Sequence, residues 1–135
     1  MQEKTLPPPA LTSGPCENNS PGCRVIAVVN QKGGVGKTTT SVNLAACVAV
    51  ADKPTLIVDL DPQSNATSAF GISSDDSGLY RSLVLGDPLA RESIQDTEIK
   101  RLKIMPSSVG LVGAELELAD VDDRTGRLKA TLEPY

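Results

Sequence analysis

The feature that most limits how this chain can fold is a glycine-rich segment set between two stretches of opposite character. Ahead of it, Val25-Ile26-Ala27-Val28-Val29 is a continuous apolar run. A short, uninterrupted run of this kind predicts a strand buried on both faces. Behind it, residues 38–51 are rich in Ala, Leu and Val, with Leu44, Ala45, Val48 and Ala49 at helical spacing. Pro54 ends that helix, and Asp52 stands where a left-handed turn closes it. Between strand and helix lies Gln31-Lys32-Gly33-Gly34-Val35-Gly36-Lys37-Thr38-Thr39.

This segment matches the end of the phosphate-loop pattern G-x-x-x-x-G-K-[ST], with Gln31 in place of the first glycine and a second lysine, Lys32, beside it. The physical logic is direct. Glycines let backbone N–H groups turn inward and approach phosphate oxygens closely. The helix that starts near Lys37 adds its positive end. Lys37 supplies a compact charge for the β- and γ-phosphates, and the Thr38 hydroxyl can ligate Mg²⁺.

A second apolar run, Thr55-Leu56-Ile57-Val58-Asp59-Leu60, follows closely and predicts a parallel βαβ unit with the first. Ligands of such sheets bind at the carboxyl ends of the strands. That rule puts Asp59 and Asp61 beside the glycine loop. Asp61 stands 24 residues after Lys37 (61 − 37 = 24), where a carboxylate can orient water for in-line attack.

Residues 61–76 predict a polar loop with one helical turn, and residues 79–85 a short helix ended by Gly86-Asp87-Pro88. Arg101-Leu102-Lys103-Ile104-Met105 predicts a third strand. Ser107 or Ser108 then caps a helix with an apolar stripe of Val109, Val112, Leu116 and Ala119, and residues 124–132 form a further helix. Residues 1–22 hold five of the ten prolines, which predicts a disordered arm ahead of a domain at 23–135.

Composition narrows the chemistry. Aromatics are 2% of 135 residues, so the core is aliphatic. The absence of histidine excludes Ser-His and Cys-His nucleophile pairs. Three cysteines without CxxC spacing point away from a disulfide framework or a zinc site. A net charge of −4 gives no sign of a basic nucleic-acid binder. No apolar run is long enough to span a bilayer, so a cytoplasmic protein is expected.

The segment Asn30 to Thr40 resembles the deviant Walker A motif of the ParA/MinD class of ATPases. Asp59-Leu60-Asp61-Pro62-Gln63-Ser64-Asn65-Ala66-Thr67 is similar to that class's second motif, in the form of the ParA/Soj branch. The resemblance continues through Met105-Pro106-Ser107-Ser108 and Gly113-Ala114-Glu115-Leu116-Glu117-Leu118, and covers nearly everything after Cys23. It implies an α/β P-loop NTPase fold with a mostly parallel sheet flanked by helices. It implies ATP and Mg²⁺ as cofactors, held by Lys32, Gly33, Gly34, Val35, Gly36, Lys37, Thr38 and Thr39. Lys32 resembles the signature lysine that reaches the partner's phosphates across a nucleotide-sandwich dimer. Lys37 resembles the P-loop lysine, Thr38 the magnesium ligand and Asp61 the aspartate that positions water. Asp59 supports the metal shell or the fold.

The implied function is plasmid or chromosome segregation in bacteria. It would work through an ATP-dependent homodimer, non-specific DNA binding on the nucleoid and a ParB-like activator, with no membrane. In the family a further strand with a second acidic motif would begin about where Leu132-Glu133-Pro134-Tyr135 closes the sequence. The expectation is therefore an N-terminal portion that binds ATP weakly and hydrolyses little. The alternatives are a related ATPase that positions another cargo, and a nucleotide-binding fragment that dimerises with intact copies and blocks them.

Overall fold

The computed structural model describes residues 23–73 and 78–133. The expected arm at 1–22 lies outside the described residues. The elements, in order, are α1 (Lys37–Val50), β1 (Thr55–Val58), α2 (Asn65–Ala69), a π-type turn (Arg81–Leu85), a 3-10 turn (Arg91–Ser93), β2 (Gln95–Asp96), β3 (Leu102–Met105), α3 (Leu111–Ala119) and α4 (Arg127–Leu132).

The sheet has the order β1-β3-β2. β1 and β3 are parallel, with Thr55 opposite Leu102 and Val58 opposite Met105. The short β2 joins the far side of β3 in antiparallel fashion. Alternation along β1 and β3 feeds two cores. On one face Ile57, Leu102 and Ile104 pack with Ala45 and Ala49 of α1, joined by Phe70, Ile72 and Ile99. On the other, Met105 packs with Leu79, Leu83, Leu111 and Ala114, joined by Leu56 and Val58. A strand covered on both faces explains why β1 and β3 are runs of Leu, Ile, Val and Met.

The polarity of the layers follows from one end. Asp52 closes α1 with φ 64, the left-handed turn expected of it. Its carboxylate pairs with the Arg101 Nε at 2.5 Å, just before β3. The carboxyl end of α1 therefore lies at the amino ends of the parallel strands. A helix of 14 residues is about 21 Å long. Its start at Lys37 is thus carried to the opposite end of the sheet, where β1 and β3 finish.

Three expectations fail, each for a physical reason. Residues 25–29 form no strand: no backbone hydrogen bond reaches them from the described residues, and Val25, Ile26 and Val29 are exposed. An apolar run favours burial, but a strand exists only with a hydrogen-bonded neighbour. β1 pairs with β3 on one edge, and 25–29 does not occupy the other. The expected βαβ unit between 25–29 and β1 is accordingly absent, and the parallel pair is β1 with β3.

The stripe assigned to α3 is the wrong one. Val109, Val112 and Leu116 are exposed, whereas Leu111 and Ala114 are buried and Leu118 half-buried. Both sets have helical spacing, so periodicity alone could not choose between them. Finally, the N-cap position of α3 is not a serine. Gly110 holds that position, and the Ser108 hydroxyl accepts from the Gly110 N–H at 3.1 Å, a cap-type bond set just ahead of the helix.

The two buried layers make a sharp contrast in stability. Ile104 is fully buried, so Ile104→Ala is expected to lower stability by about 2–5 kcal/mol. A urea titration checks this as a lower midpoint at unchanged slope. Val29, 84% exposed, should tolerate serine within about 0.5 kcal/mol. An equal loss at both positions would mean that 25–29 is packed after all.

Candidate functional site

The glycine loop lies directly ahead of α1, at the end of the sheet where β1 and β3 finish. Its backbone shape comes from two left-handed glycines, Gly34 at φ 70 and Gly36 at φ 87. A side chain at either position is strained by the torsion itself, because a β-carbon built there meets no atom within 4 Å. Both glycines therefore face open space. Gly36 is also the N-cap of α1, and its carbonyl accepts from the Thr40 N–H at 2.9 Å, closing the first helical turn.

Two local bonds curl the segment. The Lys32 N–H donates to Asn30 Oδ1 at 2.9 Å. The Lys37 ammonium donates to the Lys32 carbonyl at 3.2 Å, five residues back across the loop. The two lysines are thus gathered onto one turn. Residues 31–35 are exposed, while Gly36, Lys37 and Thr38 are half-buried and Thr39 is exposed. First-turn polar side chains fold onto the helix behind them: Ser41 Oγ donates to the Lys37 carbonyl and Asn43 Nδ2 to the Thr39 carbonyl. The first turn of α1 carries no acidic residue, and no side chain of the N-cap residue bonds its N–H groups. Helix-start N–H groups of this kind suit an anion.

Asp59 and Asp61 follow β1 at the same end. Asp59 is 5% exposed, and three donors meet its carboxylate. Thr67 provides two, its N–H at 2.8 Å and its hydroxyl at 2.6 Å, both to Oδ2. The Asp61 N–H provides the third, to Oδ1 at 3.2 Å. A buried carboxylate is stable only with such a set. Asp61 is half-buried, and its own Oδ1 accepts from the Gln63 N–H at 3.0 Å. No hydrogen bond or ion pair joins Asp61 to the glycine loop among the described residues. The link between them is the shared end of the sheet.

Ser107 is the residue that sequence reasoning assigned to another task. Fully buried beyond β3, it donates its hydroxyl to the Asp61 carbonyl at 2.5 Å. Its N–H donates to Thr67 Oγ1 at 3.0 Å. Both Thr67 and Ser107 stand in segments whose resemblance is stated above. Their spacing in sequence carried no hint that they meet.

Among the described residues no cluster of three or more His, Cys, Asp or Glu side chains could hold a metal. No described helix is long and apolar enough to cross a membrane.

Comparison with known proteins agrees with this geometry. A family described as an AAA domain matches residues 23–135. The chromosome partitioning protein ParA of Myxococcus xanthus is 46% identical over 112 residues, covering 82% of this chain and 40% of that protein. The sporulation initiation inhibitor protein Soj of Bacillus subtilis is 46% identical over 111 residues, covering 82% of this chain and 44% of its own length. This chain therefore spans less than half the length of these relatives. Among solved structures, cobyrinic acid a,c-diamide synthase from Mycobacterium smegmatis, with a bound ATP analog and magnesium, superposes with a TM-score of 0.72 at 33% identity. That match covers 78% of this chain and 43% of the synthase. The glycine loop at the head of α1, the parallel strands and these matches have one common reading: the chain belongs to the AAA-domain family and is similar in sequence to ParA and Soj proteins.

Proposed function

We propose that this chain binds ATP with Mg²⁺ through residues 32–39 and belongs to a partitioning ATPase of the ParA/Soj kind. The observation that carries the proposal is the loop itself. Gly34 and Gly36 are left-handed, Lys37 folds back onto the Lys32 carbonyl, and α1 starts there without an acidic residue in its first turn.

The residues fit a triphosphate. Backbone N–H groups of a glycine nest suit phosphate oxygens, and the helix start suits their charge. Lys37 would hold the β- and γ-phosphates and Thr38 would take the metal. Mg²⁺, when bound, neutralises charge on the phosphates. Lys32, exposed on the same turn, is free to reach the phosphates of a second copy in an ATP-dependent homodimer. Asp61 is the group assigned to orient the attacking water. In this reading the wider function is plasmid or chromosome segregation at the nucleoid, through non-specific DNA binding and stimulation by a ParB-like partner. Cytoplasmic action follows from it.

One observation favours a second reading, a nucleotide-binding form with weak or no turnover. The run at 25–29, which leads into the loop, is unpaired and exposed. A loop that hangs from such a segment holds its phosphates less firmly than one anchored in a sheet.

Two measurements test the proposal. Titration with a fluorescent ATP analogue in Mg²⁺ should give saturable binding that Lys37→Ala weakens roughly ten- to hundredfold. That corresponds to one charge-assisted bond of about 1.5–3 kcal/mol. Equal binding by wild type and Lys37→Ala would reject the loop as the nucleotide site. Gly36→Ala should disfavour the left-handed N-cap by about 1–2 kcal/mol. Faster amide exchange at Thr40, with Ile104 unaffected, is the expected signature.

A further inference from the structure

The mechanism just proposed uses Asp61 and leaves Asp59, Thr67 and Ser107 without a task. All three are nonetheless buried polar side chains at this end of the sheet. Asp59 is 5% exposed, and Thr67 and Ser107 are fully buried. We infer that Asp59, Thr67 and Ser107 form a positioning clamp that fixes the Asp61 backbone from both sides and so sets where its carboxylate stands. This inference rests on the reading of Asp61 as the water-orienting residue.

The geometry singles out Asp61. Its N–H donates to Asp59 Oδ1 at 3.2 Å, and its carbonyl accepts from the Ser107 hydroxyl at 2.5 Å. Both polar groups of one loop residue are therefore tied to side chains that follow two different strands. Thr67 locks the two ties together. Its hydroxyl donates to Asp59 Oδ2 at 2.6 Å and accepts from the Ser107 N–H at 3.0 Å. A threonine hydroxyl has one proton to give and lone pairs to receive, so both capacities are used.

The arrangement also explains why each residue type is needed. Asp59 must accept three donors, which a carboxylate does and an amide does not. Thr67 sits on α2, and its N–H reaches the same carboxylate oxygen at 2.8 Å. The turn that carries Asp61 is thereby pinned at its far end as well. Within that turn Ser64 takes a left-handed φ of 55, and its N–H donates to the Asp61 carbonyl at 2.9 Å. The side-chain ties from Asp59 and Ser107 thus anchor this turn to the residue after β1 and to the segment after β3. A site built this way holds a carboxylate in place before any ligand arrives, which is what positioning for water demands.

The test uses the whole chain and three substitutions. Amide exchange is followed by NMR without nucleotide in wild type, Thr67→Val, Thr67→Ser and Ser107→Ala. The expected result is an exchange rate at Asp61 and Ser64 that rises about tenfold in Thr67→Val and Ser107→Ala, the ratio that one lost tie of ~1.4 kcal/mol produces. Thr67→Ser, which keeps the hydroxyl, should retain the wild-type rate, and amides of β3 should not change. Equal rates in all four proteins overturn the clamp. So does a loss that spreads equally through β3, or one that serine fails to rescue.

A Mg²⁺–ATP titration of the same proteins separates the two levels of the argument. A positioning clamp leaves the dissociation constant of Thr67→Val within about twofold of wild type. A loss as large as that of Lys37→Ala overturns the clamp, because Thr67 would then belong to the nucleotide pocket. Failure of wild type to bind nucleotide sinks the proposed function, while the exchange data still decide the clamp on their own. In a chain that turns over, kcat of Thr67→Val falls with KM unchanged. Unaltered kcat alongside lost protection at Asp61 overturns the positioning role.

Discussion

Everything that gives this end of the molecule its shape hangs on the parallel pairing of β1 with β3. The ladder runs beyond the strands at both ends. The Thr55 N–H donates to the Arg101 carbonyl below, and the Asp59 N–H donates to the Met105 carbonyl above. Leu102, Ile104 and Met105 are all within 1% of complete burial, so β3 is the axis on which both apolar cores are threaded. Parallel strands finish at the same end. The segments that follow them, 59–64 and 106–108, are therefore delivered side by side although more than 40 residues of sequence separate them. An antiparallel pair would have sent one of them to the far side of the domain.

The pairing has an electrostatic consequence. The carboxyl end of this sheet collects a buried carboxylate, Asp59, and its neighbour Asp61, while the start of α1 brings unsatisfied N–H groups to the same end. Negative charge there is tolerable only where donors are supplied, and the chain supplies them from Thr67, Asp61 and Gln63. Two salt bridges, by contrast, lie on exposed side chains. Arg101 with Asp52 and Lys103 with Asp96 are largely solvent-facing, so their effect on stability is small. The Arg101–Asp52 pair marks which end of α1 meets which end of the strands.

How much of this was legible in the sequence varies with the kind of signal. β1, β3, α1 and the left-handed Asp52 were readable because each is written locally: a short aliphatic run, a helical period, a proline, a residue tolerant of positive φ. The glycine loop was readable because its torsions need glycine at 34 and 36. What failed was whatever depends on a neighbour. Residues 25–29 have the composition of a buried strand and no strand beside them. α3 carries two apolar stripes, and only packing against Leu79, Leu83 and Met105 decides that Leu111 and Ala114 face inward. β2 is two residues long and exists through its pairing with Lys103 and Ile104. Ser107 has the chemistry of a helix cap, but the nearest carbonyl in space belongs to Asp61.

The two halves of the site differ in how they are held, and this difference bears on how such a site works. The turn around Asp61 is fixed by bonds to buried groups that cannot exchange partners with water. The glycine loop is shaped by its own torsions and by two short-range bonds, from Lys32 to Asn30 and from Lys37 to Lys32, all on exposed or half-buried residues. Few buried contacts and solvent-exposed bonds mean low local stability. An anion entering from solvent therefore meets a preset carboxylate on one side and, on the other, a loop whose ordering it must itself supply. Ordering a loop consumes binding energy. The Lys37 ammonium must also leave the Lys32 carbonyl to which it donates before it can reach a phosphate. The affinity of this end for a polyanion is then set by the glycine loop. The fixed turn contributes geometry, and its contribution to affinity is small.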